Sequence, residues 1–185
     1  MDDWRRDSDS IWEGMSEQVV NAGLGEFPGA TGFGGIFNDP DGIEIQFLPS
    51  PSTLVTAAVP SDLAKHNAGP VTPLGVDHMV LNVSNLERAL DYYHILYGTE
   101  STRSETQATF VFPRSNTRLI LQEISYTYAN APGIVSFGIK TRPFDQALVS
   151  RHLTSLGATI LPNRDPAALL RFSDPDGIIV ELNPV

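Results

Sequence analysis

The strongest constraint on the fold of this chain is an internal duplication within residues 74–185. Each half reads as an apolar strand followed by a helix and further strands. Ser84 opens a Ser-x-x-Glu capping box in the first half, and Thr141 stands at the matching place in the second, so each predicts a helix start. Gly98 and Gly157 are the matching helix stops. The two helix starts are separated by nearly the same number of residues as the two helix stops. The sequence therefore predicts an α+β fold of two paired βαβββ-type units.

The strands of both units follow from runs of apolar and β-branched residues between turn signals. Only three such runs are visible in the first unit, which therefore reads as βαββ. The second unit shows four, the last after Asp174-Pro175-Asp176-Gly177, a turn with Pro at its second and Gly at its fourth position. The predicted strands are 76–83, 107–112 and 117–124 in the first unit, and 134–140, 158–161, 169–172 and 178–182 in the second.

A partial third copy precedes this duplication. The turn in residues 38–43 has the same Asp-Pro-Asp-Gly-Ile core as residues 173–178, about one domain length later. Residues 10–22 carry apolar side chains at helical spacing. We therefore expect residues 8–50 to be a partial αβββ unit, the last helix and three strands of a copy whose front is absent. Such a chain is either a truncated tandem product or one whose fragment completes a sheet in a partner.

The stretch 51–73 is rich in proline and lacks sustained periodicity, so it reads as a linker. The predicted domains are a partial unit at 1–50, the linker, and a complete domain at 74–185 with units 74–125 and 132–185. An open sheet edge is relieved by pairing with another strand. We therefore expect a homodimer, or strand exchange through residues 1–50.

The charge and the absence of cysteine limit the function. The 185 residues include 12 Lys and Arg against 22 Asp and Glu, a formal charge of −10, whose field repels phosphate backbones and anionic lipids. We expect a small-molecule substrate and neither a nucleic-acid nor a membrane partner. Without cysteine, any metal must be held by His, Asp, Glu or Gln. The chain has neither a signal peptide nor a long apolar run, which favours a cytoplasmic location.

Two segments of the duplicated pattern resemble a known superfamily. His78 lies in the strand Gly75-Val76-Asp77-His78-Met79-Val80-Leu81-Asn82-Val83, and Asp174-Pro175-Asp176-Gly177-Ile178-Ile179-Val180-Glu181-Leu182 ends the chain's pattern. Both resemble the vicinal oxygen chelate superfamily, which includes glyoxalase I, extradiol dioxygenases and bleomycin-resistance proteins. The resemblance implies a cup-shaped sheet in which a divalent ion polarises adjacent substrate oxygens, in a glyoxalase-like isomerase or lyase. The alternative that it implies is a metal-free protein that binds or sequesters a small molecule.

The resemblance also implies which residues hold the metal. His78 matches the position on the first strand of the first unit, and Glu181 matches that on the last strand of the second. On the last strand of the first unit the candidates are Gln122 and Glu123, and only one of them can point inward because strand side chains alternate. The apolar pattern favours Gln122, whereas the chemistry favours Glu123. The fourth position falls at Ile134, which cannot bind a metal.

Further inferences concern the last strands. A lone carboxylate on a half-buried strand is costly unless it is paired or coordinated, and the resemblance implies that Glu181 is the catalytic base for moving a proton next to a carbonyl. Arg171 fits either a subsite for an anionic group or a solvated strand face. In the partial copy, Gln46 stands where Glu181 stands in the complete one. We therefore expect no metal site in residues 1–50.

Overall fold

A computed structural model describes residues 17–18, 21, 29–31, 34–47, 69–125, 131–163 and 168–185. The predicted linker lies outside the described residues except for 69–73. Of the predicted first helix, residues 17, 18 and 21 are described, and they are helical and exposed. Within the described ranges, no helix is long and apolar enough to cross a bilayer.

The described elements are eleven strands and two helices with defined bounds. The strands are β1 (Gly29–Thr31), β2 (Gly34–Asn38), β3 (Glu44–Phe47), β4 (Pro73–Val83), β5 (Thr102–Arg103), β6 (Gln107–Phe112), β7 (Thr117–Glu123), β8 (Gly133–Thr141), β9 (Thr159–Leu161), β10 (Leu170–Ser173) and β11 (Ile179–Pro184). The helices are α1 (Leu86–Tyr97) and α2 (Gln146–Ser155).

Strand pairing follows the duplication. Eight strands form one sheet in the order β5-β6-β7-β4-β8-β11-β10-β9, and β1-β2-β3 form a separate antiparallel sheet. The large sheet is mixed, because β11 runs parallel to β8 and antiparallel to β10. Its order is symmetric about the β4–β8 pair, with one copy of the βαβββ pattern on each side. The predicted α+β architecture is confirmed at this level.

The strand that the sequence did not reveal is β5. It has two residues, Thr102 and Arg103, and pairs with β6 in the register Thr102↔Thr109. It is the second strand of the first copy, so that copy is βαβββ rather than βαββ. Both of its side chains are exposed, and a strand this short carries no alternation of apolar and polar residues.

Helix α1 begins one residue later than the capping box predicted. Its N-cap is Asn85, whose side chain accepts a hydrogen bond of 2.8 Å from the backbone N–H of Arg88. Ser84 is instead paired with the carboxylate of Asp41, which accepts from the backbone N–H of Ser84 at 2.8 Å and from its hydroxyl. Gly98 ends the helix at a positive φ of 76°, as predicted.

Helix α2 also begins later than predicted. Its N-cap is Asp145, whose carboxylate accepts from the backbone N–H of Leu148 at 3.0 Å. Thr141 is the last residue of β8, and its buried hydroxyl donates to the carbonyl of Asn183 at 3.2 Å. The prediction that Thr141 caps the helix was therefore wrong. Thr141 belongs to strand β8, and the helix starts at the next residue whose side chain can accept a hydrogen bond from the first turn, Asp145.

The contacts divide the chain into two units. The first comprises Met1–Ala57, Asn82–Phe110 and Leu121–Gly133, and the second comprises Ala58–Leu81, Val111–Ile120 and Ile134–Val185. The first unit buries the apolar face of α1, and the second buries Val149 of α2 against the sheet. The apolar residues packed around Val149 are Val71, Phe137, Ile139, Phe144, Leu153, Leu170, Phe172, Val180 and Leu182. The domain boundaries inferred from the linker stay a prediction.

The duplicated turn has the same hydrogen bonds in both places. The Asp39 carboxylate accepts from the backbone N–H groups of Asp41 and Ile43 at 2.9 and 2.8 Å. The Asp174 carboxylate accepts from the equivalent groups two and four residues on, at 3.0 and 2.8 Å. Gly42 and Gly177 close the turns at φ values of 81° and 90°. The repeat seen in the sequence is therefore a repeat of local structure.

Candidate functional site

The sheet of the second unit has an apolar and a polar face. Val180 and Leu182 of β11 lie in the core beside Val149 of α2. Because strand side chains alternate, Glu181 and Asn183 point to the opposite face. They are 7% and 5% exposed, so this polar face is buried as well.

Three neighbouring strand positions build the centre of this face. Arg171 on β10 lies opposite Glu181 on β11, and Glu181 lies opposite Gly138 on β8. A side chain at position 138 would collide with the His78 ring and with the Asn183 amide. The missing side chain of Gly138 therefore leaves the space that the buried His78 ring occupies.

The ionisable groups of this centre are close together. The Nε2 atom of His78 lies 3.5 Å from Oε2 of Glu181, and Nε of Arg171 lies 3.3 Å from Oε1 of the same carboxylate. Arg171 also donates from Nη1 to the carbonyl of Pro162 at 3.3 Å. The contact of Nε with Glu181 is an ion pair rather than a hydrogen bond, so among the described residues the buried Nε–H has no hydrogen-bond acceptor. We call His78, Arg171 and Glu181 the buried triad.

Asp77 holds the His78 ring from its other side. Its Oδ2 atom lies 2.9 Å from Nδ1 of His78 and accepts from Nη2 of Arg118 at 2.5 Å. Burial raises the pKa of Asp77, but the hydrogen bonds with His78 and Arg118 outweigh it and hold the pKa below its usual value. An ionised carboxylate only accepts hydrogen bonds, so it fixes the proton of neutral His78 on Nδ1. The Nε2 atom then faces Glu181, 3.5 Å from its Oε2.

The structure brings some of the predicted site residues together and separates others. His78 and Glu181 come together, as expected of a shared site. Gln122 is exposed near the end of β7. Glu123 accepts a hydrogen bond of 3.1 Å from the backbone N–H of Leu86 at the start of α1, where a carboxylate satisfies an unpaired helix donor. Both belong to the first unit, whereas the buried triad belongs to the second.

Arg171 corrects one interpretation made from the sequence. It is 6% exposed, so the solvated strand face was wrong. Ile134, at the fourth predicted ligand position, is 59% exposed. The sequence also gave no role to Asp77, Arg118 or Gly138. A glycine inside an apolar strand is a signal of close approach by another group, and it could have identified Gly138.

The comparisons with known proteins concern the fold. No protein-family model matches the chain, and no curated protein matches it. Among solved structures, an extradiol ring-cleaving dioxygenase from B. fuscum is similar over 63% of this chain and 34% of its own, with a TM-score of 0.52 and 19% identity. Homoprotocatechuate 2,3-dioxygenase from Brevibacterium fuscum, in complex with 3,4-dihydroxyphenylacetate, is similar over 63% and 38%, with a TM-score of 0.51 and 18% identity. The chain has the vicinal oxygen chelate fold.

A further structure with the vicinal oxygen chelate fold, methylmalonyl-CoA epimerase from Mycobacterium tuberculosis, is similar over 63% of this chain and 90% of its own, with a TM-score of 0.44 and 22% identity. This chain spans about one third of each of the two dioxygenase structures. At these identities the likeness concerns the fold alone.

The vicinal oxygen chelate fold implies a divalent ion, and the donor set can be tested for it. In the described parts of the chain, no group of three or more His, Asp or Glu side chains is placed to hold a metal. His78 and Glu181 are two donors, fewer than the three protein ligands usual at a catalytic zinc. The guanidinium of Arg171 already lies against the Glu181 carboxylate. The residues that the structure describes therefore do not fit the ion.

Proposed function

We propose that this chain is a small-molecule enzyme of the vicinal oxygen chelate fold that moves a proton next to a substrate carbonyl without a divalent ion. The observation that carries the proposal is the buried triad, three ionisable side chains that converge within 3.5 Å on one face of the second unit. Buried ionisable side chains that converge in one place are candidates for a functional site. The reaction class is that of a glyoxalase-like isomerase or lyase.

Glu181 is the base in this proposal. A carboxylate beside an imidazole and a guanidinium can accept a proton from carbon and give it up again within the same site. Its position on β11 is fixed by the parallel pairing with β8 and the antiparallel pairing with β10. A base held by two strands keeps its geometry through the reaction.

His78 is the second proton carrier. With its Nδ1 proton held by Asp77, the ring offers Nε2 to Glu181 and to a bound molecule. The ionised Asp77 carboxylate would stabilise the imidazolium that forms when Nε2 takes a proton. Arg118 keeps Asp77 in place through its 2.5 Å hydrogen bond. The four residues thus support transfer of a proton away from Glu181.

The experiment that tests this proposal is isotope exchange in deuterium oxide. The full chain is mixed with 2-oxo acids and 2-oxoaldehydes, and the loss of their α-hydrogen signals is followed by proton NMR. We expect exchange with at least one compound, and a loss of about 100-fold or more in Glu181→Gln. The matched control is Glu123→Gln, because Glu123 is a carboxylate of the same sheet that caps α1 and should leave exchange unchanged.

Two outcomes would contradict the proposal. Exchange that survives in Glu181→Gln would remove Glu181 as the base. Saturable binding of these compounds with no exchange above the background rate would leave the chain as a binding protein, the alternative implied by the resemblance to bleomycin-resistance proteins.

A further inference from the structure

We propose that Arg171 supplies the positive charge that a divalent ion would otherwise supply, and that its Nε–H binds the carbonyl oxygen of the substrate. This inference rests on the proposed function and adds the group that binds the oxygen. The substrate is the one already proposed, a compound with a carbonyl group and an acidic hydrogen on the adjacent carbon.

The first observation is an unused hydrogen-bond donor. The side chain of Arg171 is 7% exposed, and its Nε–H is buried without an acceptor among the described residues. The Glu181 carboxylate offsets the charge of this group but accepts no hydrogen bond from Nε–H, and buried polar groups in folded proteins nearly always make one. A ligand oxygen would satisfy this donor.

The second observation is the anchoring of the same guanidinium. Nη1 donates to the backbone carbonyl of Pro162 at 3.3 Å, which holds one end of the group. The carboxylate of Glu181 lies 3.3 Å from Nε, so the donor and the proposed base are neighbours across the β10–β11 pair. In a carbonyl compound the oxygen and the acidic hydrogen are also neighbours. In this proposal one molecule contacts both groups at once.

The proton transfer balances without any further reactant. Glu181 takes the hydrogen from the carbon next to the carbonyl as a proton, and the C–H electron pair becomes a C=C bond. The π electrons of the C=O bond move to oxygen, which becomes an oxyanion bound to the Nε–H of Arg171. The proton then returns to the same carbon, where the C=C electron pair forms the new C–H bond and the C=O bond is restored. A preorganised cationic donor at the developing charge is the usual source of stabilisation in such a step.

The test uses oxalate, a dianion of two adjacent carboxylate groups whose oxygens imitate the oxyanion of the intermediate. The Nε–H signal of Arg171 is assigned in the full chain by nitrogen-15 NMR from its loss in Arg171→Lys. We expect oxalate to move this proton downfield in a saturable way, and sulfate to leave it in place. Oxalate should bind about tenfold or more weakly to Arg171→Lys and equally well to the control Arg151→Lys, whose side chain is exposed on α2.

The outcomes separate this inference from the proposed function. Isotope exchange that depends on Glu181, together with an unmoved Arg171 Nε–H signal, would overturn the inference and leave the proposed function standing. Equal effects of oxalate and sulfate would also overturn it, because they would indicate unspecific anion binding. If Arg171→Lys does not fold, the oxalate titration of the unmodified chain decides the question, with the signal assigned by triple-resonance NMR.

Discussion

At the scale of single residues, the site depends on an absent side chain. The His78 ring lies where a Cβ at position 138 would be. Asp77 fixes the ring's Nδ1 side, and Glu181 lies on its Nε2 side. A residue with no side chain thus sets the position of the His78 ring.

Replacing Gly138 by alanine should therefore destabilise the fold and displace the His78 ring. We expect a loss of about 1–3 kcal/mol in the free energy of unfolding in urea, because the added methyl group overpacks a buried site. The control is Gly69→Ala, where a Cβ would meet open space. A Gly138→Ala chain that is as stable as the control, with unchanged His78 ring signals in NMR, would contradict this geometry.

The Arg171–Glu181 pair should show strong coupling in stability. Removing one member of a buried ion pair leaves the other uncompensated, so Arg171→Met and Glu181→Gln should each cost about 3 kcal/mol. The double variant should lose less than the sum, by about 0.5–3 kcal/mol. The exposed Arg103–Glu87 pair serves as the control, because such surface pairs contribute about 0–1 kcal/mol. Strictly additive losses at Arg171 and Glu181 would show that the two groups act independently.

At the scale of elements, the sequence predicted those turns, helices and strands that neighbouring residues determine. The turn at Asp174 and its repeat at Asp39 were read from a spacing of Asp, Pro and Gly that permits few conformations. The helix starts were less accurate, because several residues before each helix are good acceptors and the end of the preceding strand selects among them. The strand β5 was missed, since two exposed residues carry no pattern.

The repeated turn permits a test of how stability depends on pH. Of the two equivalent carboxylates, Asp39 is buried and Asp174 is partly exposed. Burial raises its pKa above the usual value, although hydrogen bonds from Ile43, Tyr93 and Asp41 oppose this. The folded state therefore holds this proton more tightly than the unfolded one, and the stability from it is lost as the pH rises through the folded pKa. We expect Asp39→Asn to gain stability relative to the unmodified chain as the pH rises above the ordinary aspartate pKa of about 4.

The control for this titration is Asp174→Asn, which alters the same turn hydrogen bonds at a less buried position. Urea unfolding at several pH values measures all three proteins. If the stability difference between Asp39→Asn and the unmodified chain does not change with pH, the folded-state pKa of Asp39 is not raised.

At the scale of the whole molecule, the fold followed from the sequence more fully than the site did. The duplication alone predicted two βαβββ units, because a repeat of apolar periodicity fixes the element order. The ligand set did not follow, since it depended on where side chains of distant segments point. The resemblance implied Gln122 or Glu123 as a ligand and strand alternation bore only on which of them points inward, whereas the hydrogen bond from Leu86 to Glu123 is a tertiary contact. The role of Arg171 depended on its burial, which the local sequence does not reveal.

The proposed function requires that the proton move on this chain's own residues rather than on a divalent ion. The most direct measurement compares isotope exchange of a responsive carbonyl compound before and after exhaustive chelation, and again after adding zinc, nickel, manganese or magnesium. We predict the same rate in every case, with the rate lost in Glu181→Gln. A rate that falls on chelation, returns with one of these ions and depends on His78 would contradict the account and establish the metal-dependent enzyme instead.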